Sequence, residues 1–294
     1  MSAEKSGSRN LLKISIALLP AFLLIMSACT PKGLEPSISD SDLESPTFSV
    51  QPTFTTEQAD TPIPLTETPI LQTKICSPLE GETLSELTEI ITQPFKPPRA
   101  GQDVENDDHH GVDFAFYRRK DLLSIDGLPI LSVLDGEVVT IINDKFPYGN
   151  AIIIETPLDL ISPILLDQLN PPSTQPTVVP DPKFNWAPGE LPFQLSETSR
   201  SLYIYYAHLK YPADVNIGDK VTCGQQIGQV GNTGDSSNPH LHFETRIGPS
   251  GARFDSMAYY TAQSTQSERY NYVVWRVSNM FQLFDPMVLL SIKD

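Results

Sequence analysis

The sequence predicts an all-β protein whose head is an antiparallel β-sandwich or barrel-like structure, following a long disordered N-terminal tether. From residue 75 onward, apolar residues occur in short runs rich in β-branched and aromatic side chains. Gly, Pro, Asn and Asp separate these runs at close intervals, and no long segment repeats apolar residues at helical spacing. We therefore expect a site on the surface of a sheet.

Residues 1–29 have the features of a secretory signal peptide. A basic start precedes an apolar stretch from Ile14 to Met26, which is too short to span a membrane. The stretch ends in IMSAC, which resembles a bacterial lipobox, so Cys29 is predicted to become a lipid-modified first residue. An ordinary cleaved signal with an incidental cysteine is the alternative.

Residues 30–74 are rich in Pro, Thr, Ser and acidic residues and show no apolar periodicity. Such a segment cannot bury enough apolar surface to offset the entropy lost on ordering, so we expect a disordered tether. Signal and tether together predict an exported protein, lipid-anchored at the outer face of a bacterial membrane. The formal net charge of -16 argues against a nucleic-acid partner, because neutralising phosphates requires a basic face.

The head, residues 75–294, contains two stretches that interrupt the strand pattern. Residues 157–200 are dense in proline, and residues 249–283 are rich in Tyr, Ser and Gln. Stretches of this length without secondary structure are usually functional or disordered in a compact domain. We interpret both as insertions, which either flank a cleft or decorate the surface.

Two cysteines remain if Cys29 takes lipid. In an exported domain Cys76 and Cys223 could form a disulfide, and the alternative is two buried thiols. A disulfide that closes so long a loop would stabilise the fold by about 4 to 5 kcal/mol on the chain-entropy model.

The histidines lie in three short patches: His109 and His110, then His208, then His240 and His242. Along a strand, side chains two or four apart point to the same face, which pairs His109 with Asp113 and His240 with His242. Two imidazoles and a carboxylate, with a fourth position open to water, are the arrangement expected of catalytic zinc. A half-buried, hydrogen-bonded histidine without a ligand role is the alternative at each position. Gly111 would allow a neighbour or ligand to approach closely.

The head also contains a series of motifs in a fixed order: HHGVDFAF, GLPILSVLDGEVV, YGNAIIIE, YIYYAHL, IGDKVTCGQQIGQVGNTGDSSNPHLHFE and a late FDP. This series resembles the lysostaphin-type (LytM-like) zinc metallopeptidases, which are bacterial cell-wall endopeptidases with a duplicated-hybrid-motif fold. The resemblance covers most of residues 105–248 and touches residues 284–286. The H-x-x-x-D and H-x-H pairs are weak separately, but their order with YAHL and the glycine-rich segment is specific.

The resemblance implies one zinc ion per chain, with His109, Asp113 and His242 as its ligands. It also implies that His208 and His240 are catalytic. With a pKa near the ordinary value of about 6.5, these two histidines would accept a proton from the attacking water and return it to the departing amine.

The sequence leaves the roles of two neighbouring residues open. His110 matches a variable position, and we expect its side chain to point away from His109, at the surface or behind the ligands. Glu244 alternates onto the face of His242, where it either orients a histidine or is purely structural.

The predicted function is therefore that of an exported zinc metalloendopeptidase, which cuts peptidoglycan stem or cross-bridge peptides with zinc-activated water. One alternative is a non-catalytic lipoprotein of the same fold that binds cell wall or activates another hydrolase. Such relatives are expected to lose metal ligands, whereas this chain keeps all three. A zinc-scavenging lipoprotein is a further alternative, for which the DVENDDHH stretch is only a faint signal.

Overall fold

A computed structural model of the protein describes residues 71–97, 108–171, 195–259 and 261–292. The predicted signal peptide with Cys29, and the tether up to residue 70, lie outside the described residues. So do residues 172–194 of the first predicted insertion. Within the described residues the all-β prediction is confirmed, because antiparallel strands form the body of the head and the helices are short.

The elements are numbered in chain order. The strands are β1 (Ile91–Gln93), β2 (Val112–Phe114), β3 (Pro129–Leu131), β4 (Gly136–Lys145), β5 (Gly149–Pro157), β6 (Arg200–Leu209), β7 (Lys220–Val221), β8 (Gln226–Gln229), β9 (Leu241–Pro249) and β10 (Gln282–Phe284). The α-helices are α1 (Pro163–Leu169), α2 (Gln266–Arg276) and α3 (Pro286–Leu290), and two 3-10 turns cover Leu87–Ile90 and Leu158–Leu160.

The main sheet has eight antiparallel strands in the order β1-β2-β9-β6-β5-β4-β7, with β10 also paired to β9. Strands β3 and β8 form a second, two-stranded sheet. The two end strands of the main order, β1 and β7, do not pair with each other, so the sheet is open. The architecture is thus sandwich-like rather than a closed barrel.

The main sheet is buried on both faces. On β6, Ile204 and Tyr206 contribute to a core shared with the small sheet, whereas Tyr203 and Tyr205 contribute to a second core on the opposite face. Burial of both faces explains why β6 is apolar and aromatic along its length, without alternating polar residues. Trp275 of α2 is a member of the second core, so this helix covers part of that face.

The two predicted insertions contain ordered helices that we did not expect from the sequence. In the first, α1 begins after Ser162, whose hydroxyl accepts a hydrogen bond from the Leu165 amide at 3.4 Å. In the second, α2 begins with a reciprocal capping box between Thr265 and Glu268. The first turn is therefore fixed by side chains at the N-terminus, and the apolar residues near the end of α2 are buried against the sheet. None of the helices in the described ranges combines the length and the hydropathy needed to cross a membrane.

Cys76 and Cys223 form a disulfide, with Cα atoms 5.5 Å apart and a sequence separation of 147 residues. Of the two alternatives left open by the sequence, the disulfide is the one the structure contains. It links the segment that precedes β1 to the loop between β7 and β8.

Reduction of this disulfide should lower the free energy of unfolding by about 4 to 5 kcal/mol, because it releases a long loop in the unfolded chain. Urea unfolding with and without reductant measures the change. A Cys76→Ser/Cys223→Ser double variant is the control. Its free energy of unfolding should match that of the reduced wild type and should not change when reductant is added. An unchanged unfolding midpoint on reduction of the wild type would contradict this role.

Candidate metal centre

The predicted metal ligands lie on one face of the main sheet because of its strand register. Asp113 on β2 pairs with His242 on β9, and His242 in turn pairs with Ala207 on β6. Directly paired residues project to the same face, so the carboxylate and the imidazole are adjacent. Val112 and Phe114 alternate into the core on the other face, which fixes the side from which Asp113 projects.

His109 reaches this face from the segment just before β2. Its backbone exchanges two hydrogen bonds of 2.9 Å with Lys96, which hold the residue in an extended pairing. Its Nδ1 lies 3.0 Å from the Pro94 carbonyl oxygen. The imidazole is therefore fixed at both the backbone and the ring.

The structure brings His109, Asp113 and His242 together, and all three are buried. His109 Nε2 lies 3.0 Å from Asp113 Oδ1 and 3.1 Å from His242 Nδ1, and the third side of this triangle, His242 Nδ1 to Asp113 Oδ1, measures 2.8 Å. Three potential ligand atoms thus face one another at hydrogen-bond distance.

The hydrogen bonds on the far side of each ring identify the atoms that carry lone pairs. A carbonyl oxygen can only accept, so Nδ1 of His109 donates to Pro94 and its Nε2 is unprotonated in the neutral ring. Nε2 of His242 faces Glu244 Oε1 at 3.1 Å, so in the neutral ring this nitrogen donates and Nδ1 carries the lone pair. Two nitrogen lone pairs and a carboxylate oxygen therefore converge on one point.

This donor set fits a divalent cation such as zinc, which accepts imidazole nitrogen and carboxylate oxygen. Without a cation the three atoms repel one another unless a proton lies between them. Burial alone would lower the pKa of His242, but hydrogen bonds to Asp113 and Glu244 outweigh it and raise the pKa to about 9. Burial would raise the pKa of Asp113, and the adjoining imidazoles of His109 and His242 instead hold it well below its usual range. The pocket stabilises positive charge.

Glu244 connects His242 to a second layer of buried groups. Its Oε1 also accepts a hydrogen bond from the Tyr148 hydroxyl at 3.2 Å, and its Oε2 accepts two from Arg246 at 3.1 Å. Burial would raise the pKa of Glu244, but Arg246 and His242 hold it well below its ordinary value. Of the two roles left open for Glu244, the structure supports orientation of a histidine, because a carboxylate behind an imidazole fixes its tautomer.

His110 is not at the surface, so that part of the expectation for it is wrong. Its side chain is buried, its Nδ1 accepts a hydrogen bond from Arg246 at 2.9 Å, and its Nε2 lies 2.7 Å from Asp108 Oδ2. Burial, together with Arg276 and Arg246, lowers the pKa of His110 to about 3. His110 is a neutral link behind the predicted ligands, as the other part of the expectation allowed.

A β-bulge turns His208 toward the predicted ligands. Between the pairs Ile152–Tyr206 and Asn150–Leu209, β5 advances two residues while β6 advances three. Simple alternation would place His208 on the same face as Tyr206, away from the ligands. At the bulge His208 has a positive φ of 62°, and its side chain instead lies on the cleft side, with its ring centroid 4.6 Å from that of His240. This backbone conformation is uncommon for a residue other than glycine.

Both predicted catalytic histidines have the tautomer needed to accept a proton in the cleft. Nδ1 of His208 donates to the Thr233 carbonyl at 2.7 Å, and Nδ1 of His240 donates to the Asn238 carbonyl at 2.8 Å. Each Nε2 therefore carries a lone pair in the neutral ring. Nε2 of His240 lies 3.6 Å from Asp113 Oδ2. For His208 the expected pKa near 6.5 is wrong, because burial and the neighbouring His242 and His240 lower it to about 3.

The close approach predicted at Gly111 is confirmed. A Cβ atom at this position would lie 2.6 Å from the Phe243 carbonyl oxygen and 2.8 Å from Cε1 of His242. Both distances are shorter than a Cβ contact allows, so a larger residue at position 111 would displace the Phe243 backbone or the His242 ring.

The predicted site residues line one cleft of about 450 Å³. The sequence did not single out several others that line it, including Tyr148, Tyr272 and Arg276. Tyr148 is the first residue of the YGNAIIIE motif, which contributes to the family resemblance but does not indicate a role for the tyrosine. Tyr272 and Arg276 lie four residues apart on α2 and had no sequence signal of their own, because the helix itself was not expected.

Replacement of Glu244 by Gln should weaken zinc binding by about 10- to 100-fold, because the residue that orients His242 loses its charge. Competition with a chromophoric chelator measures the affinity. Glu155→Gln is a matched control: Glu155 is also buried on the main sheet, where it accepts hydrogen bonds from Ser201 and Tyr203, and it does not line the cleft. Equal zinc affinity in the wild type and Glu244→Gln would show that the carboxylate does not support the site.

The family model described as Peptidase family M23 matches residues 194–255, a segment that contains His208, His240 and His242. No curated protein matches the chain.

Several solved structures of peptidases are similar to this chain. A zinc-containing peptidase from Vibrio cholerae is 24% identical, with 61% of this chain and 39% of that chain covered and a TM-score of 0.34. The catalytic domain of lysostaphin from Staphylococcus simulans is 20% identical, with 71% and 98% covered and a TM-score of 0.35. Helicobacter pylori Csd3 is 20% identical, with 70% and 38% covered and a TM-score of 0.30.

At these identities and TM-scores, the structural likenesses carry no functional assignment. The match of the family model coincides with the motifs from YAHL to HLHFE, on which the sequence resemblance was based. The resemblance of this chain to the lysostaphin-type peptidases is therefore confirmed, through the match of residues 194–255 to Peptidase family M23.

Proposed function

We propose that this protein is a zinc metalloendopeptidase that hydrolyses peptide bonds in peptidoglycan cross-links. The observation that carries the proposal is the convergence of lone pairs from His109, Asp113 and His242, with two further imidazole nitrogens facing the same cleft. The match to Peptidase family M23 supports the peptidase class. The metal, the substrate and the reaction mechanism are our proposal.

Zinc held by His109 Nε2, Asp113 Oδ1 and His242 Nδ1 would supply a Lewis acid that lowers the pKa of water to about 7 and polarises a peptide carbonyl. Glu244 keeps Nδ1 of His242 available by accepting the proton on the opposite nitrogen. His109 is held in the same way by the Pro94 carbonyl. The protein thus presents both imidazoles in the tautomer that a metal requires.

We assign different parts of the proton transfer to the two remaining histidines. His208 is neutral at physiological pH because its pKa is lowered to about 3, so its Nε2 accepts a hydrogen bond from the attacking water and orients it. Nε2 of His240 accepts the proton and returns it to the departing amine. The nearby Oδ2 of Asp113, 3.6 Å away, stabilises the resulting imidazolium.

We also propose that the protein is exported and anchored by lipid on Cys29 at the outer face of a bacterial membrane. The signal-like residues 1–29 and the tether sequence support this location. The disulfide between Cys76 and Cys223 is an independent support, because disulfides persist in oxidising compartments outside the cytosol.

His242→Ala and His208→Ala should separate metal binding from turnover. His242→Ala should lose zinc and, with it, the release of new amino groups from purified peptidoglycan. His208→Ala should keep one zinc per chain and lose about 10²- to 10⁴-fold in turnover, as expected for removal of a group that assists proton transfer. Zinc content by mass spectrometry and amino-group release measure the two effects.

His110→Gln is a useful companion, because His110 lies behind the predicted ligands and binds none of the converging atoms directly. It should reduce turnover less than His208→Ala. If wild-type protein binds zinc but releases no amino groups from peptidoglycan with several types of cross-link, a non-catalytic role in the cell wall replaces the proposed one.

Cys29→Ser should abolish lipid attachment while leaving the folded head intact, because Cys29 precedes the whole described structure. Metabolic labelling of bacterial cells with a radioactive fatty acid measures attachment, and Ser39→Ala, which keeps all three cysteines, serves as the control that keeps the label. A wild-type protein that is exported without label would favour an ordinary cleaved signal.

A further inference from the structure

Helix α2 contributes an arginine to the cleft that contains the predicted metal ligands. Tyr272 and Arg276 are four residues apart and lie on the same side of the helix, and both line the cleft. Phe146 and Tyr259, which are partly exposed and in ring contact with each other, line it as well. Arg276 is thus placed among aromatic side chains, beside the site of the proposed reaction.

Arg276 uses few of its hydrogen-bond donors within the protein. Its Nη1 donates to the Tyr148 hydroxyl at 3.2 Å, and its Nη2 lies 3.8 Å from Asp108 Oδ2, which is longer than a hydrogen bond. A guanidinium carries five N–H donors. In the described part of the chain we find no other hydrogen bond or ion pair of Arg276, and its side chain is 18% exposed.

The neighbouring Arg246 is an arginine whose side-chain donors are hydrogen-bonded within the protein, and it serves as a comparison. Its donors reach Glu244 Oε2, Nδ1 of His110 and the carbonyl oxygens of Trp275 and Phe281, at 2.9 to 3.3 Å. Arg246 is 2% exposed and does not line the cleft. Arg276 differs from it in both respects: donors remain available, and they lie at a cleft.

The charge of Arg276 is only partly balanced by its surroundings. Within the described residues, Asp108 is the carboxylate that forms an ion pair with Arg276, and the same Asp108 oxygen already contacts Nε2 of His110 at 2.7 Å. Glu244 is paired with Arg246. An arginine with available donors inside a cleft favours an anionic group of the ligand.

We propose that Arg276 binds a carboxylate of the peptide substrate, so that this protein selects peptides with a free carboxylate near the scissile bond over uncharged peptides such as oligoglycine. The planar guanidinium matches a carboxylate with two parallel hydrogen bonds. The cleft is of a size typical for binding a small ligand, so the scissile amide and the carboxylate would occupy it together. This inference rests on the proposed peptidase function, and it names the substrate class of the same site.

The test uses two peptides that are identical except for a free carboxylate or a carboxamide on the residue next to the scissile bond. The wild type should cleave the carboxylate peptide with a kcat/KM about 10- to 100-fold higher, which is the range expected for charge-assisted hydrogen bonds. Arg276→Gln should bring this ratio close to one, and Arg276→Lys, which keeps the charge but not the planar fork, should give an intermediate ratio. Arg269→Gln, on the same helix but not lining the cleft, should keep the wild-type ratio.

A binding measurement separates this inference from the proposed function. Calorimetry with the His208→Ala protein should show tighter binding of the carboxylate peptide, and adding Arg276→Gln should remove the difference. Zinc content is measured for every variant. If Arg276→Gln loses zinc or fails to fold, the ratio of kcat/KM for the two peptides is taken from Arg276→Lys instead.

Equal cleavage of both peptides by the wild type overturns the inference and leaves the peptidase proposal standing. The inference is also overturned if Arg276→Gln and Arg276→Lys both keep the wild-type ratio of kcat/KM for the two peptides, because the selectivity then comes from another residue. If no peptide is cleaved, the peptidase proposal fails. The inference then stands only if calorimetry still shows a preference for the carboxylate that depends on Arg276.

Discussion

The arrangement of the site depends on one electrostatic constraint, which is that three electron-rich atoms are held within 2.8 to 3.1 Å of one another in a buried pocket. Like partial charges at such distances repel strongly where water is scarce. The protein holds them there because each ligand is hydrogen-bonded from behind, by Pro94 and Glu244, or fixed by strand register, as Asp113 is. A cation at the centre converts this repulsion into attraction.

The fold supplies the rigidity that this constraint requires. Strands β2, β9 and β6 lie side by side, so Asp113, His242 and the bulge at His208 belong to one continuous hydrogen-bonded sheet. One face of the sheet packs on the small sheet, and the opposite face carries both the second core and the site. Because α2 packs on that second core and also lines the cleft, its side chains connect the packing of the head to the proposed chemistry.

Much of the fold and of the ligand cluster could be predicted from local spacing. Strand geometry fixes which side chains share a face, so spacing paired His109 with Asp113 and His240 with His242. The family resemblance implied which of them are the ligands. The face chosen by His208 could not be predicted by the same rule, because a bulge reverses it. The family resemblance, rather than the spacing, identified this residue.

Other features depend on contacts between segments far apart in the chain. Buried His110 accepts a hydrogen bond from Arg246, which is 136 residues away. Tyr148 donates to Glu244 over a separation of 96 residues. Helix α2 was missed because its sequence, QSERYNYVVWR, mixes polar and aromatic residues without a clean apolar stripe. Its stability comes from a capping box and from packing on the sheet, and the second of these is visible only in the folded protein.

The central claim is that the converging atoms of His109, Asp113 and His242 bind one divalent metal and leave a position for water. X-ray absorption at the zinc edge of the loaded protein tests this most directly. We predict one zinc per chain with two imidazole nitrogens and two oxygens at about 2.0 to 2.2 Å, and no bound zinc in His242→Ala. Sulfur scattering, a shell without imidazole, or a zinc spectrum unchanged by His242→Ala would contradict it.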